Sequence, residues 1–207
     1  MSEDQLNQLV YSKEVIEFVT LANEYCKFVE NAGSLKTRDF LSKIQKILPL
    51  VYLKTSMLPN FESTEEVVLE KFVSEVDYSY LQQRMMNMLG EHDDYQEVFD
   101  RDMQFSEVPL TASISENLAD IYQDLKDFAL CYRTGDEFVM QEALWECIDN
   151  FKNYWGQKLV NAMRAIHALV YSSIDFETEV TIQNDEESLE DTKPDWLNNL
   201  FNDPLES

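Results

Sequence analysis

Between Ser113 and Ser173 the chain carries two apolar stripes in succession, and little but a long helical hairpin accommodates both. The first runs through Leu118, Ile121, Tyr122, Leu125, Phe128, Ala129 and Tyr132 at alternating steps of three and four, one face of a 3.6-residue period. Ser113-Ile114-Ser115-Glu116 precedes it with capping-box spacing, a serine to accept the third amide and a glutamate to reach back. Thr134-Gly135-Asp136 ends it, since glycine turns left-handed at low cost. The second stripe holds Phe138, Val139, Leu144, Cys147, Ile148, Phe151, Trp155, Leu159, Ala162, Met163, Ile166 and Val170. Two such faces need apolar partners.

Those partners are expected upstream. Val15, Phe18, Val19, Ala22, Cys26 and Val29 predict a helix from about Asp4, or from a Ser12 cap, to Asn31. Phe40, Leu41, Ile44, Ile47, Leu48, Val51 and Tyr52 predict a second, kinked or broken at Pro49. Ser63-Thr64-Glu65-Glu66 repeats the capping-box spacing, so a helix is expected through Val67, Val68, Phe72 and Val73, interrupted near Asp77-Tyr78-Ser79. Tyr80, Leu81, Met85, Met86 and Leu89 continue the stripe to a Gly90 cap, and an ordered linker crosses from Glu91 to Thr111. With four Gly and five Pro, the chain lacks the punctuation of a strand-and-turn architecture. The reading is all-α: one bundle-like domain over residues 1–173, built on the central hairpin.

Residues 174–207 differ. From 175 onward eleven carboxylates face one lysine, and Asn184 to Ser188 lacks an apolar set, which reads as a disordered acidic tail. Its end is not polar. After Pro194, residues Trp196, Leu197, Leu200 and Phe201 stand at i, i+1, i+4 and i+5, the pattern of a short amphipathic helix laid in a groove (194–201). So short a helix needs a surface to fold against, either the chain's own body or a partner.

A formal charge of −24 repels phosphate backbones and anionic lipid, so neither direct nucleic-acid nor membrane binding is expected. The N-terminus is acidic and no apolar run reaches eighteen residues, giving an expectation of a cytoplasmic protein. Cys26, Cys131 and Cys147 lie on apolar stripes and read as buried free thiols.

Candidate chemistry is sparse. Asp93, Asp94, Glu97, Asp100 and Asp102 beside His92 lack the glycine of a calcium loop and read as a solvated acidic loop. Two Glu-x-x-His pairs, needed for a di-iron bundle, are missing, and the cysteines lack zinc-finger spacing, so no metal or cofactor is expected. Asp120, Asp124 and Asp127 share one helical face, which reads as the wet side. His167 lies beside the last apolar stripe and reads as a core histidine.

Two passages carry a resemblance. One is Leu89-Gly90 with Asp94-Tyr95-Gln96-Glu97-Val98-Phe99-Asp100. The other joins Ser115 to Leu125 with Tyr132-Arg133-Thr134-Gly135, Ala143-Leu144-Trp145, Trp155-Gly156 and Ala162 to His167. In order and spacing they resemble the bacterial domain-of-unknown-function family numbered 5063, over roughly residues 10–172. The resemblance implies an all-helical fold and a bacterial, cytoplasmic setting, and it brings no activity. At Gly156-Gln157-Lys158 the chain departs from the family's serine or threonine cap, leaving open whether the helix breaks or bends there.

Within these motifs Tyr95, Glu97, Tyr132, Arg133, Trp145, Trp155, Arg164 and His167 are candidates to converge on one site. Arginine forks suit carboxylate or phosphate, yet Glu97, Asp100 and Asp120 are available to pair with them instead. Three functions follow as expectations. The first is a non-catalytic interaction or adaptor module with a protein partner. The others are a small-molecule or phosphate-binding enzyme using Arg133, Arg164 and His167, and an acidic nucleic-acid mimic occupying a basic groove.

Overall fold

A computed structural model of the chain describes residues 9–63, 67–97, 110–174 and 176. The architecture is helical, with one two-stranded ladder among the described residues. Helix α1 spans Lys13–Glu30 and starts at Ser12, whose hydroxyl accepts the Val15 amide. Helix α2 spans Thr37–Ser56 and runs through Pro49 without breaking. Pro49 is exposed, so the intrahelical bond it cannot make is lost on the solvent side.

The helix expected over Val67–Val73 is a correction. Residues 67–74 are not helical, and α3 begins only at Glu75, running to Leu89. Its capping box is Ser74 with Asp77, in the region read as an interruption. The competing demand comes from elsewhere in the fold: the Phe72 and Val73 amides both donate to Asp127 Oδ1, at 2.8 and 3.0 Å. Amides pointing at a distant carboxylate are not free to close helical turns.

Gly90 closes α3 at positive φ, and a 3₁₀ turn over Gly90–His92 leads into strand β1, Asp94–Gln96. β1 pairs antiparallel with β2, Thr111–Ser113, in the register Asp94↔Ser113, Tyr95↔Ala112 and Gln96↔Thr111. Strands in the linker were not legible in a stretch this polar and short.

Helix α4, Ile114–Arg133, is the centre of the molecule and packs against α1, α3, α5 and α6. Phe18 of α1 stacks on Phe128 at 5.2 Å, and buried Tyr25 donates to the Leu118 carbonyl at 2.9 Å. Buried Glu30 accepts the Tyr122 hydroxyl at 2.9 Å and the Lys126 ammonium at 2.7 Å. Gly135, at φ 74°, turns the chain into α5, Glu137–Asn150, which folds back along α4.

The second arm of the hairpin neither stops nor stays regular. A single π-helical turn, Phe151–Trp155, joins α5 to α6, Gly156–Val170. A Cβ on Gly156 would overlap the Phe151 carbonyl oxygen and come within 2.9 Å of the Phe151 ring. Only glycine admits that approach, so the chain passes Gly156 through a widened turn. The turn places Trp155 wholly inside the core, its Nε1 donating to the Cys147 carbonyl at 3.3 Å. Cys26, Cys131 and Cys147 are free and buried. Among the described residues no helix is long and apolar enough to cross a membrane.

Candidate functional site: a groove along helix α6

A concavity of ligand size opens where the 3₁₀ turn after α3, strand β1, the start of α4 and the second half of α6 meet. Its volume is about 430 Å³. Ile114, Ala165, Ala168 and Leu169 give it an apolar lining, and His92, Asp94, Tyr95, Arg164 and His167 stand at its polar positions. The helical period explains the shape. Ala165 and Ala168 are too small to fill the space beside α6, while Arg164 and His167, exposed on the same helix, flank it.

Asp93 secures this end of the fold. Read from sequence as part of a solvated acidic loop, it is buried. Its Oδ1 accepts the Ser115 amide at 2.7 Å, and its Oδ2 accepts the Ser113 and Ser115 hydroxyls at 2.7 and 2.6 Å. The Ser113 hydroxyl in turn accepts the Glu116 amide at 3.2 Å. A carboxylate at a helix N-terminus also meets the positive end of the dipole. Asp93 therefore joins the linker to α4 and sets β1 against β2. No local pattern announces it, because its partners lie 20 and 22 residues on. Asp100 and Asp102 of the same acidic cluster lie outside the described residues. Among the described residues no group of three or more His, Cys, Asp and Glu is arranged to hold a metal.

Four of the eight candidate residues gather at or beside the groove. Tyr95 is half-buried on β1, with its hydroxyl accepting Asn117 Nδ2 at 2.5 Å. Burial, and then the neighbouring Glu97 carboxylate, push that hydroxyl up to about 12. Glu97 accepts Asn161 Nδ2 at 2.7 Å, so α6 holds the strand through an amide. Arg164 and His167 line the groove, and His167 is exposed, a correction to its reading as a core group. Its ring meets Tyr171 at 4.6 Å between centroids.

The other four stand elsewhere. Arg133 is exposed at the far end of α4, about 28 Å from Ile114 at 1.5 Å rise per residue. Arg133, Arg164 and His167 therefore do not form one site. Tyr132 donates to the Val10 carbonyl at 2.8 Å. Trp145 is half-buried on α5, and Trp155 is core. Trp196, Leu197, Leu200 and Phe201 lie outside the described residues.

The arginine pair considered with Asp120 is also corrected: Lys158, not an arginine, forms the ion pair with Asp120. Asp120 Oδ1 further accepts the Tyr78 hydroxyl at 2.9 Å. Asp120 and Asp127 are each only 6% exposed, so this face of α4 is not the wet side. α3 and the extended segment before it cover the face, which amphipathic periodicity cannot register. Asp124, between them, accepts Asn150 Nδ2 at 2.5 Å, and burial raises its carboxyl to about 6. The space left around Asp124, Asp127 and Glu146 is about 10 Å³, no larger than one water.

The fold and groove together define a small helical body that carries an amphipathic concavity among its described residues. The chain belongs to the family described as a domain of unknown function (DUF5063), which matches residues 9–172. It is similar to the crystal structure of protein BF1032 from Bacteroides fragilis, with 43% identity and a TM-score of 0.72, covering 81% of this chain and 98% of that one. Among curated proteins none matches the chain.

Proposed function

We propose that the protein is a non-catalytic interaction module. Its α6 groove takes a short peptide segment bearing large apolar side chains flanked by carboxylates. The observation that carries this reading is the groove itself: a lining of Ile114, Ala165, Ala168 and Leu169 edged by Arg164, His167 and His92, with one acid, Asp94. On a chain of formal charge −24, an apolar floor edged by one arginine, two histidines and one aspartate is locally less acidic than the chain as a whole. A helical peptide lays its apolar stripe in such a floor and its acids against the edge, the helix-in-groove mode. Arg164 supplies the planar fork that suits a carboxylate.

The test is selection from a random displayed peptide library against the full chain. In the bait Trp196, Leu197, Leu200 and Phe201 are replaced by serine, so that no apolar segment of the chain competes. A parallel selection uses the same bait carrying Ala168→Arg, which fills the groove from an exposed position. The expected result is a consensus of aromatic and leucine residues at helical spacing with flanking Asp or Glu, lost on the Ala168→Arg bait. No consensus, or one unaffected by Ala168→Arg, overturns the assignment.

A further inference from the structure

We infer that the groove's occupant is the chain's own segment 194–201, bound in cis. The inference rests on the peptide-binding reading of the groove and names its first ligand.

Three observations support it. The first is where the described chain ends. Phe176 sets its ring edge-on against His92 at 5.2 Å between centroids, and His92 lines the groove. The described chain thus ends at the groove rather than at the far end of α4 or on the α1–α2 surface.

The second is reach. Seventeen residues lie between Phe176 and Pro194, a length to which random-coil scaling gives a root-mean-square span of about 23 Å. That is enough to return to the groove and short enough to hold the segment near it at roughly millimolar effective concentration. A peptide of only modest intrinsic affinity is then mostly bound in cis.

The third is chemistry. Trp196, Leu197, Leu200 and Phe201 stand in sequence at the spacing of one helical face, with Asp191, Asp195 and Asp203 against the single base Lys193 around them. This is the complement of an apolar floor edged by Arg164, His167 and His92. The family match ends at residue 172, so the segment is an addition to the shared body. A rival apolar surface exists on α1 and α2, where Ile16, Leu50, Leu53 and Met57 are each about half exposed. It lacks the contact with the end of the described chain that the groove has through Phe176.

The test uses a fluorescent synthetic peptide of residues 191–207 and three full-length proteins: native, the four-serine tail variant, and that variant with Ala168→Arg. Anisotropy titration should show the peptide binding the serine-tail protein at least tenfold more tightly than the native one. Ala168→Arg should abolish that binding, with far-UV circular dichroism confirming that all three proteins are folded. Equal affinity for native and serine-tail proteins overturns cis binding of the segment and leaves the peptide-binding reading standing. No binding to the serine-tail protein also overturns the inference. The library selection then decides separately whether the groove takes any such peptide. Binding that survives Ala168→Arg places the peptide on another surface and overturns the inference.

A second measurement is independent of affinity. With Ala168→Cys and Asn199→Cys in the full chain, mild oxidation should give a disulfide within one molecule, seen by mass spectrometry. Crosslinks only between molecules, or preferred crosslinking to Leu53→Cys, overturn the cis arrangement.

Discussion

The carbonyl oxygen of Phe151 occupies the place where a side chain on Gly156 would begin. Relieving that overlap means moving backbone. Replacement by alanine gains about 1 kcal/mol of helix propensity but incurs overpacking of about 1–3 kcal/mol and shifts the π turn that seats Trp155. Gly156→Ala should therefore lower stability, read as a reduced urea midpoint. A midpoint equal to or above that of the native protein would show that the turn relaxes freely.

Asp93 holds three donors at the start of α4. Asp93→Ala leaves the buried Ser115 amide without its acceptor and should cost roughly 2–4 kcal/mol. Because Asp93 also joins β1 to the helix, the Tyr95 amide should lose protection from hydrogen exchange more than the amides of α1. Uniform loss across the chain would argue against this local role.

Lys158 neutralises the Asp120 carboxylate, whose other partner is the Tyr78 hydroxyl. Lys158→Met strands that buried charge and should cost about 3 kcal/mol. Adding Asp120→Asn should recover most of the loss, which a double-mutant cycle by chemical denaturation measures. Simple additivity would count against the pair.

Asp124 gives a pH dependence of defined sign. Burial raises its carboxyl to about 6 in the folded state, above the ordinary value near 3.9. The folded protein thus retains a proton that the unfolded chain has released, and stability from this group falls as pH rises from about 4 to 6. Asp124→Asn keeps an acceptor for Asn150 and should remove that slope. The gain at pH 7 should be on the order of 1–2 kcal/mol. A variant less stable than native at pH 7 would show that attraction to Lys71 outweighs the burial cost.

Helices whose apolar residues recur with one clear period were readable from the sequence: α1 with its Ser12 cap, α4 with its Ser113 cap, the Gly135 turn and the stripe through Trp155. Periodicity reports which face avoids water, and capping chemistry is local, so both survive in one dimension. What tertiary structure alone decided involves partners far apart in sequence. Asp127 reaches back 54 and 55 residues to the Val73 and Phe72 amides and prevents the expected helix there. Asp120 looked like a wet position until α3 and Lys158 covered it, because a carboxylate's burial depends on whether a cation and donors can be brought to it. The eight candidate site residues divided for the same reason. Tyr95, Glu97, Arg164 and His167 meet where β1 lies against α6, while one helix length of α4 separates Arg133 from them. Sequence spacing measures distance along a helix, and only packing decides which helix ends come together.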